Sequence, residues 1–209
     1  MLISVAPNFI LDTDSLTVTE LSSGDITVHD FSDKKLPLLI FRDRMSGWFF
    51  EPAIMLLHQG HSVASVHIVT PLIEALQERY EGEPSKGKSA HFFKKRAKEM
   101  FGLSDNALAL LYGGLRSGFA HHGFLKDDSN HYNILITTGL AAPIEYSDDV
   151  LWIDSDKYVY KVRDAYEEYY TFAEGDEELQ RRFMAVWNDD WQMSLRVPGG
   201  AGTIREGHV

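Results

Sequence analysis

Apolar residues recur along this chain with two different periods, and the switches between them mark its elements. Leu16, Val18, Ile26 and Val28 alternate with polar residues on either side of Ser22-Ser23-Gly24-Asp25. Alternation interrupted by a glycine-bearing turn predicts a β-hairpin. Residues 1–43 read as extended or irregular, with Lys34-Lys35 and Pro37 marking a connection. From Ser46 the spacing changes to three and four. Trp48, Phe49, Ala53, Leu56 and Leu57 fit the buried face of a helix from Trp48 to Gln59, capped by Ser46 and stopped by Gly60.

A second helix is predicted from Ser62 to Tyr80, with Val63, Val66, Ile68, Val69, Leu72, Ile73 and Leu76 as its core face. Pro71 within it predicts either a kink or a new start capped by Thr70. Glu81 to Lys88 reads as a loop. A third helix follows from Ser89 to Phe101, with Phe92, Phe93, Ala97 and Met100 inward and Gly102 as its stop. Ser104 or Asp105 caps a fourth, on which Leu108, Leu111, Leu115 and Phe119 line one face. Tyr132 to Thr138 and Val150 to Ile153 are apolar and β-branched, and predict a short two-stranded ribbon. Asp154 or Ser155 then caps a helix from Asp156 to about Phe172, and Glu177 to Trp191 forms a last amphipathic helix. Pro198 to Gly202 reads as a frayed tail. The pattern thus predicts a mainly α fold: a helical bundle with a short β-ribbon and a β-like N-terminal segment. Its parts are an extended segment over 1–43, a helical domain over 44–192 and a C-terminal tail over 193–209.

Composition narrows the classes. With 209 residues, 44% of them hydrophobic and 12% aromatic, the chain has enough apolar surface for a sizeable core. No apolar run approaches the roughly 18 residues that span a bilayer, and no basic region followed by an apolar one opens the chain. No membrane association is expected, and a cytoplasmic location fits. The absence of cysteine excludes disulfides, thiolate metal sites and thiol catalysis. A net charge of −11 argues against a non-specific nucleic-acid binder. The distribution qualifies that: Lys86, Lys88, Lys94, Lys95, Arg96 and Lys98 lie between Ser85 and Met100, where Glu99 is the only acidic residue. Such a run is either a phosphate-attracting patch or a solvated helix face.

Chemistry concentrates between Leu110 and Phe124, where an apolar stripe carries Arg116 and ends in His121 and His122. Arginine forks onto phosphate oxygens, and histidine exchanges protons near neutral pH. On a continuous α-helix, residues five apart sit about 140° apart, so Arg116 and His121 would not converge. Either the helix ends near Ala120, or a second chain completes the site. Gly113, Gly114, Ser117 and Gly118 are small, as a closely approaching second backbone would require.

An arginine followed by histidine after four residues (His121) or five (His122), late in a helix of a small bundle, resembles the signature of the HEPN (higher eukaryotes and prokaryotes nucleotide-binding) superfamily. Tyr112, Leu115, Gly118 and Gly123 around it are similar to bacterial members. The layout from Ser46 to Phe172 also resembles theirs, including Pro71-Leu72-Ile73-Glu74-Ala75-Leu76 and Leu151-Trp152-Ile153-Asp154. The resemblance implies a HEPN-like bundle and a homodimer acting as a metal-independent endoribonuclease of toxin–antitoxin or defence type, with RNA or a nucleotide as ligand and an antitoxin or other protein as partner. No cofactor or metal is implied. Ser117 stands where active members often carry Asn, Asp or His. His121 would move a proton at the ribose 2′-hydroxyl or the leaving oxygen. Arg116 would stabilise charge on the phosphorane, and Ser117 and Tyr112 would donate hydrogen bonds. The lysines and arginine from Lys86 to Lys98 would guide the RNA backbone.

Other readings stand beside this one. The chain would otherwise be a non-catalytic HEPN-like module that binds a nucleotide or protein. In that case Arg116 caps a helix or pairs with Glu74, and His121 and His122 sit at a helix C-terminus. A histidine-based metal hydrolase is a third, weaker option. His58 and His61 have a His-x-x-His spacing, but Gly60 breaks the helix between them, so they read as structural. Glu167, Glu168, Asp176, Glu177 and Glu178 read as a solvated acidic face.

Overall fold

The N-terminal alternation extends beyond a hairpin. In the computed structural model, which describes residues 2–22, 25–30, 32–118 and 133–194, β1 (Leu2–Ala6), β2 (Phe9–Asp12), β3 (Thr17–Ser22) and β4 (Asp25–Asp30) form an antiparallel meander in that order. β3 pairs with β4, Leu21 opposite Ile26 and Ser22 opposite Asp25, and the central residues of the predicted turn, Ser23 and Gly24, lie outside the described residues. Val18 lies opposite Leu11 on the buried face, which Phe9 shares, whereas Ile26 and Val28 point to solvent.

A helix then begins earlier than the periodicity suggests. α1 (Leu36–Met45) buries Leu36, Ile40, Phe41 and Met45. Pro37 sits in its first turn, where the missing N–H is no loss, so it opens the helix instead of marking a connection. The register widens to a π-helix over Ser46–Phe50 and returns to α in α2 (Glu51–His58). Ser46 therefore lies inside a continuous helical run and caps nothing. Trp48 is also not a core residue: it is 46% exposed, and the buried positions are Phe50 and Ala53. The sheet docks on this run at Gly47, where a Cβ would stand 2.4 Å from the Pro7 ring. Beside it the Asn8 amide and side-chain nitrogens donate to the two Asp43 oxygens at 2.7 and 2.8 Å.

Gly60, at φ +80°, separates α2 from α3 (Ser62–Glu81). Pro71 does not restart that helix. Thr70 is inside it, its hydroxyl donating back to the Val66 carbonyl at 2.7 Å. Packing holds the helix together across the proline: Val69, Thr70, Leu72 and Ile73 are all buried, and the Tyr166 hydroxyl donates to the Leu72 carbonyl at 2.8 Å. α4 (Ser89–Phe101) ends at left-handed Gly102. α5 (Asp105–Leu110) is capped by Ser104, whose hydroxyl accepts from the Ala107 amide at 3.4 Å. The helical run then turns π again over Leu111–Gly118.

The second sheet has three strands, not two: β5 (Ile134–Thr137), β6 (Ile144–Ser147) and β7 (Val150–Asp154). β7 lies in the middle, parallel to β5 and antiparallel to β6. Asp154 caps α6 (Ser155–Gly175) by accepting from the Lys157 amide at 3.0 Å, and its other oxygen accepts from the Leu140 amide at 2.9 Å. α7 (Glu177–Ser194) closes the described chain.

The fold is mainly α, and its core is continuous. Val5, Phe9 and Val18 of the first sheet belong to the same apolar cluster as Ile73, Tyr166 and Phe183 of the helices. α3 occupies the centre, against α2, α4, α6, α7 and the second π-helical segment. Burial pushes the phenols of Tyr158 and Tyr166 well above their ordinary range, so both stay protonated. Among the described residues, no helix is long and apolar enough to cross a membrane.

Candidate functional site

Arg116 is carried by the second π-helical segment. There Leu111, Gly114, Leu115 and Gly118 are buried, while Tyr112, Arg116 and Ser117 are half-buried. The predicted apolar face is thus present at Leu108, Leu111 and Leu115. Phe119, His121 and His122 lie outside the described residues. A rotation of 100° per residue does not hold in this segment, because a π-helix bonds i to i+5 and brings residues five apart closer to one face. Within one copy, among the described residues, nothing approaches Gly113: it is exposed, and a Cβ added there would have no atom within 4 Å.

The segment packs along α3, and there Arg116 meets Glu74. Its Nη2 lies 3.2 Å from Glu74 Oε2, with the arginine side chain 28% exposed and the glutamate 9%. The pair is close but not aligned as a hydrogen bond. Glu74 Oε2 and Arg116 Nε are both buried with no hydrogen-bonding partner, so the contact is electrostatic attraction at short range. The other glutamate oxygen accepts from the buried Ser85 hydroxyl at 2.5 Å. The Ser85 amide donates in turn to Glu78 at 2.7 Å, tying the loop after α3 to the same helix. His67, two turns before Glu74 on α3, is half-buried. Burial, and secondarily the Arg116 charge, holds its imidazole below the ordinary range.

Tyr112 lies one π turn before Arg116. Its ring packs 5.6 Å from that of Phe93, and Lys94 Nζ stands 5.8 Å from its centre. Lys94 thereby links the Arg116 segment to the basic side of α4. A groove of about 430 Å³ runs between α4 and α5, lined by Ala90, His91, Lys94, Lys95, Lys98, Asp105 and Leu108. His91, Lys94, Lys95 and Lys98 follow the spacing of one α-helical face.

The basic run is less free than its local sequence suggests, because acidic residues outside the window reach into it. Lys88 pairs with Glu83 at 2.7 Å, Lys95 with Glu81 at 2.6 Å and Lys98 with Asp105 at 3.0 Å. Arg96 is turned inward. Its guanidinium lies 3.9 Å from the Tyr80 ring centre, and it donates to Gln77 at 2.9 Å and pairs with Glu99 at 3.1 Å. That arginine holds α4 to α3 and does not belong to a phosphate-guiding face. Lys86 is exposed on the loop before α4.

The arrangement unites Arg116, Glu74 and Ser85 at one helix seam, with His67 two turns away on α3, and places a separate lysine groove beside it. Glu74 is among the partners of Arg116 that the sequence suggests, whereas His67, Ser85 and the pairing of the lysines are not anticipated there. The seven-residue spacing of His67 and Glu74 was the available signal. Comparison with protein-family models, with curated proteins and with solved structures finds no match.

Proposed function

We propose that this protein is a HEPN-like RNA-binding effector of toxin–antitoxin or defence type, acting as a homodimer that cuts RNA without a metal through Arg116 and His121. The observation that carries the reading is the setting of Arg116. A permanently charged guanidinium sits at a seam between helices, opposite one carboxylate oxygen, with 28% of its side chain reachable and its Nε not engaged by an acceptor. Such a group can exchange part of its contact with Glu74 for a phosphate oxygen and stabilise the charge that builds there. The groove along α4 adds Lys94 as a contact for a neighbouring phosphate. In this reading the 2′-hydroxyl attacks phosphorus, the bond to the 5′-oxygen breaks and a 2′,3′-cyclic phosphate results. His121, or His122 beside it, moves the proton, and DNA is inert because it lacks the attacking group.

A second reading, a non-catalytic module that binds a nucleotide or protein, is favoured by one specific observation: Arg116 already has a carboxylate partner, as do Lys88, Lys95 and Lys98. Labelled single-stranded RNA incubated with the protein in EDTA separates the two. Cutting by the wild type that is lost in His121→Ala, with the dimer intact in solution, supports the ribonuclease. RNA binding without cutting supports the module, and a monomer that neither binds nor cuts rejects the ribonuclease.

A further inference from the structure

We propose that the β4 edge of the first sheet is a self-recognition surface, on which β4 of one copy pairs antiparallel with β4 of a second copy about a twofold axis at Thr27. The inference goes beyond the ribonuclease reading and stands whether or not RNA is cut.

The sheet has two edges, and they are finished differently. β1 bears a bulge between Ser4 and Ala6, and its Val5 carbonyl accepts from Arg44 Nε of α1. β4 has neither device: its six residues pair with β3 without a break. It contains no lysine or proline, and its two acids, Asp25 and Asp30, stand at its ends. Among the described residues, its one backbone hydrogen bond outside β3 runs from the Asp33 amide to the Asp30 carbonyl. Alternate N–H and C=O groups along the strand therefore face outward, as a template for another strand. On the solvent face Ile26 is 71% exposed and Val28 63%, with Leu21 of β3 opposite Ile26.

The strand's own sequence selects the occupant and the register. A twofold axis normal to the sheet keeps the faces of both copies on the same sides, so residues directly opposite must point the same way. The axis therefore passes through a residue and not between two. At Thr27 it pairs Asp25 to His29 with the same stretch in reverse. Each Ile26 then lies against Val28 of the second copy, each Asp25 against His29, and Thr27 against itself. No carboxylate stands directly opposite another. Leu21, Ile26 and Val28 of the second copy form one apolar row across three strands. An axis at Val28 would instead set each Ile26 against Asp30, and an axis nearer either end shortens the ladder.

The chain contains no cysteine, so single cysteines in the full-length protein report the pairing. Directly opposed positions lie about 4.5–5.5 Å apart at Cβ, close enough for a disulfide, whereas diagonal ones at about 7–8 Å are not. Under mild oxidation Thr27→Cys should give a covalent dimer, and Val28→Cys alone should give about tenfold less. A mixture of Ile26→Cys and Val28→Cys should give the mixed dimer, and replaces Thr27→Cys should that variant fold poorly by thermal melting. In sedimentation without crosslinking, Ile26→Lys should weaken self-association by about tenfold or more, because it sets a charge within the ladder. Self-crosslinking of Val28→Cys in place of Thr27→Cys would overturn the register and the proposal with it. So would the absence of crosslinking in all of these variants, or self-association of folded Ile26→Lys equal to that of the wild type. A wild type that makes this contact and leaves RNA uncut would remove the ribonuclease reading and leave the pairing intact.

Discussion

The two π-helical segments share one backbone register and differ in what they hold. Ser46–Phe50 carries no charged residue and is pinned from outside: the Pro7 turn of the first sheet rests on Gly47. Leu111–Gly118 is anchored by Leu111 and Leu115 and presents Arg116 to the central helix. In the first the wider turn makes room for a neighbour, and in the second it aims a side chain. An uncommon helical register is therefore not in itself a mark of function, and the residue projected from it decides.

Substitutions test that contrast. The largest effect is expected at the second segment. Arg116→Lys keeps the charge opposite Glu74 but loses the planar fork, so RNA cleavage should fall by about 10²–10³-fold, or about 3–4 kcal/mol of transition-state stabilisation, with little change in melting. Single-turnover assays on labelled RNA measure this. At the first segment Gly47→Ala should do the reverse. The added methyl meets the Pro7 ring, and urea unfolding should show a loss of about 1–3 kcal/mol with no change in cleavage per folded molecule. Equal loss of cleavage in both variants would erase the distinction.

Glu74→Gln sharpens it. It removes the counter-charge and keeps an acceptor for Ser85. The buried position of Glu74 and the partial exposure of Arg116 together suggest a stability loss of about 1–2 kcal/mol. Affinity for uncleavable RNA should rise, because Arg116 no longer has a carboxylate to leave, and fluorescence anisotropy reads that directly. The smallest effect is one of slope. His67 is held below its ordinary value of 6.5 in the folded chain, so near and just below that pH the unfolded chain binds the proton and the folded chain does not. This group therefore makes stability fall as pH drops below about 6.5, and His67→Gln should flatten that decline in a series of urea titrations.

The helices that were legible in advance are those with one polar and one apolar side. α4 shows its inward residues at Phe92, Phe93 and Ala97, and α6 shows a cap at Asp154. α1 was not legible, because Leu36-Pro37-Leu38-Leu39-Ile40-Phe41 is apolar without a period. β6 was missed because Ile144-Glu145-Tyr146-Ser147 offers only two apolar positions, and its place depends on pairing with β7. The π register leaves no trace in side-chain spacing, since it is a choice of backbone partner. At the site, Arg116 is conspicuous as a charge within an apolar stripe, and Glu74 is among the partners that the sequence suggests for it. His67 was hidden in the core pattern of α3, between Val66 and Ile68. The pairing of Lys95 and Lys98 depends on where Glu81 and Asp105 arrive in space, which a count of charges along a window does not contain.

One hydrogen bond at the edge of the seam offers a built-in reporter. The Ser85 hydroxyl holds Glu74, and the amide of the same residue is held by Glu78. A ligand that draws Arg116 away from Glu74 alters the load on both bonds. Deuterium uptake at that single amide would then register occupancy of the seam, and do so for a ligand that is never turned over.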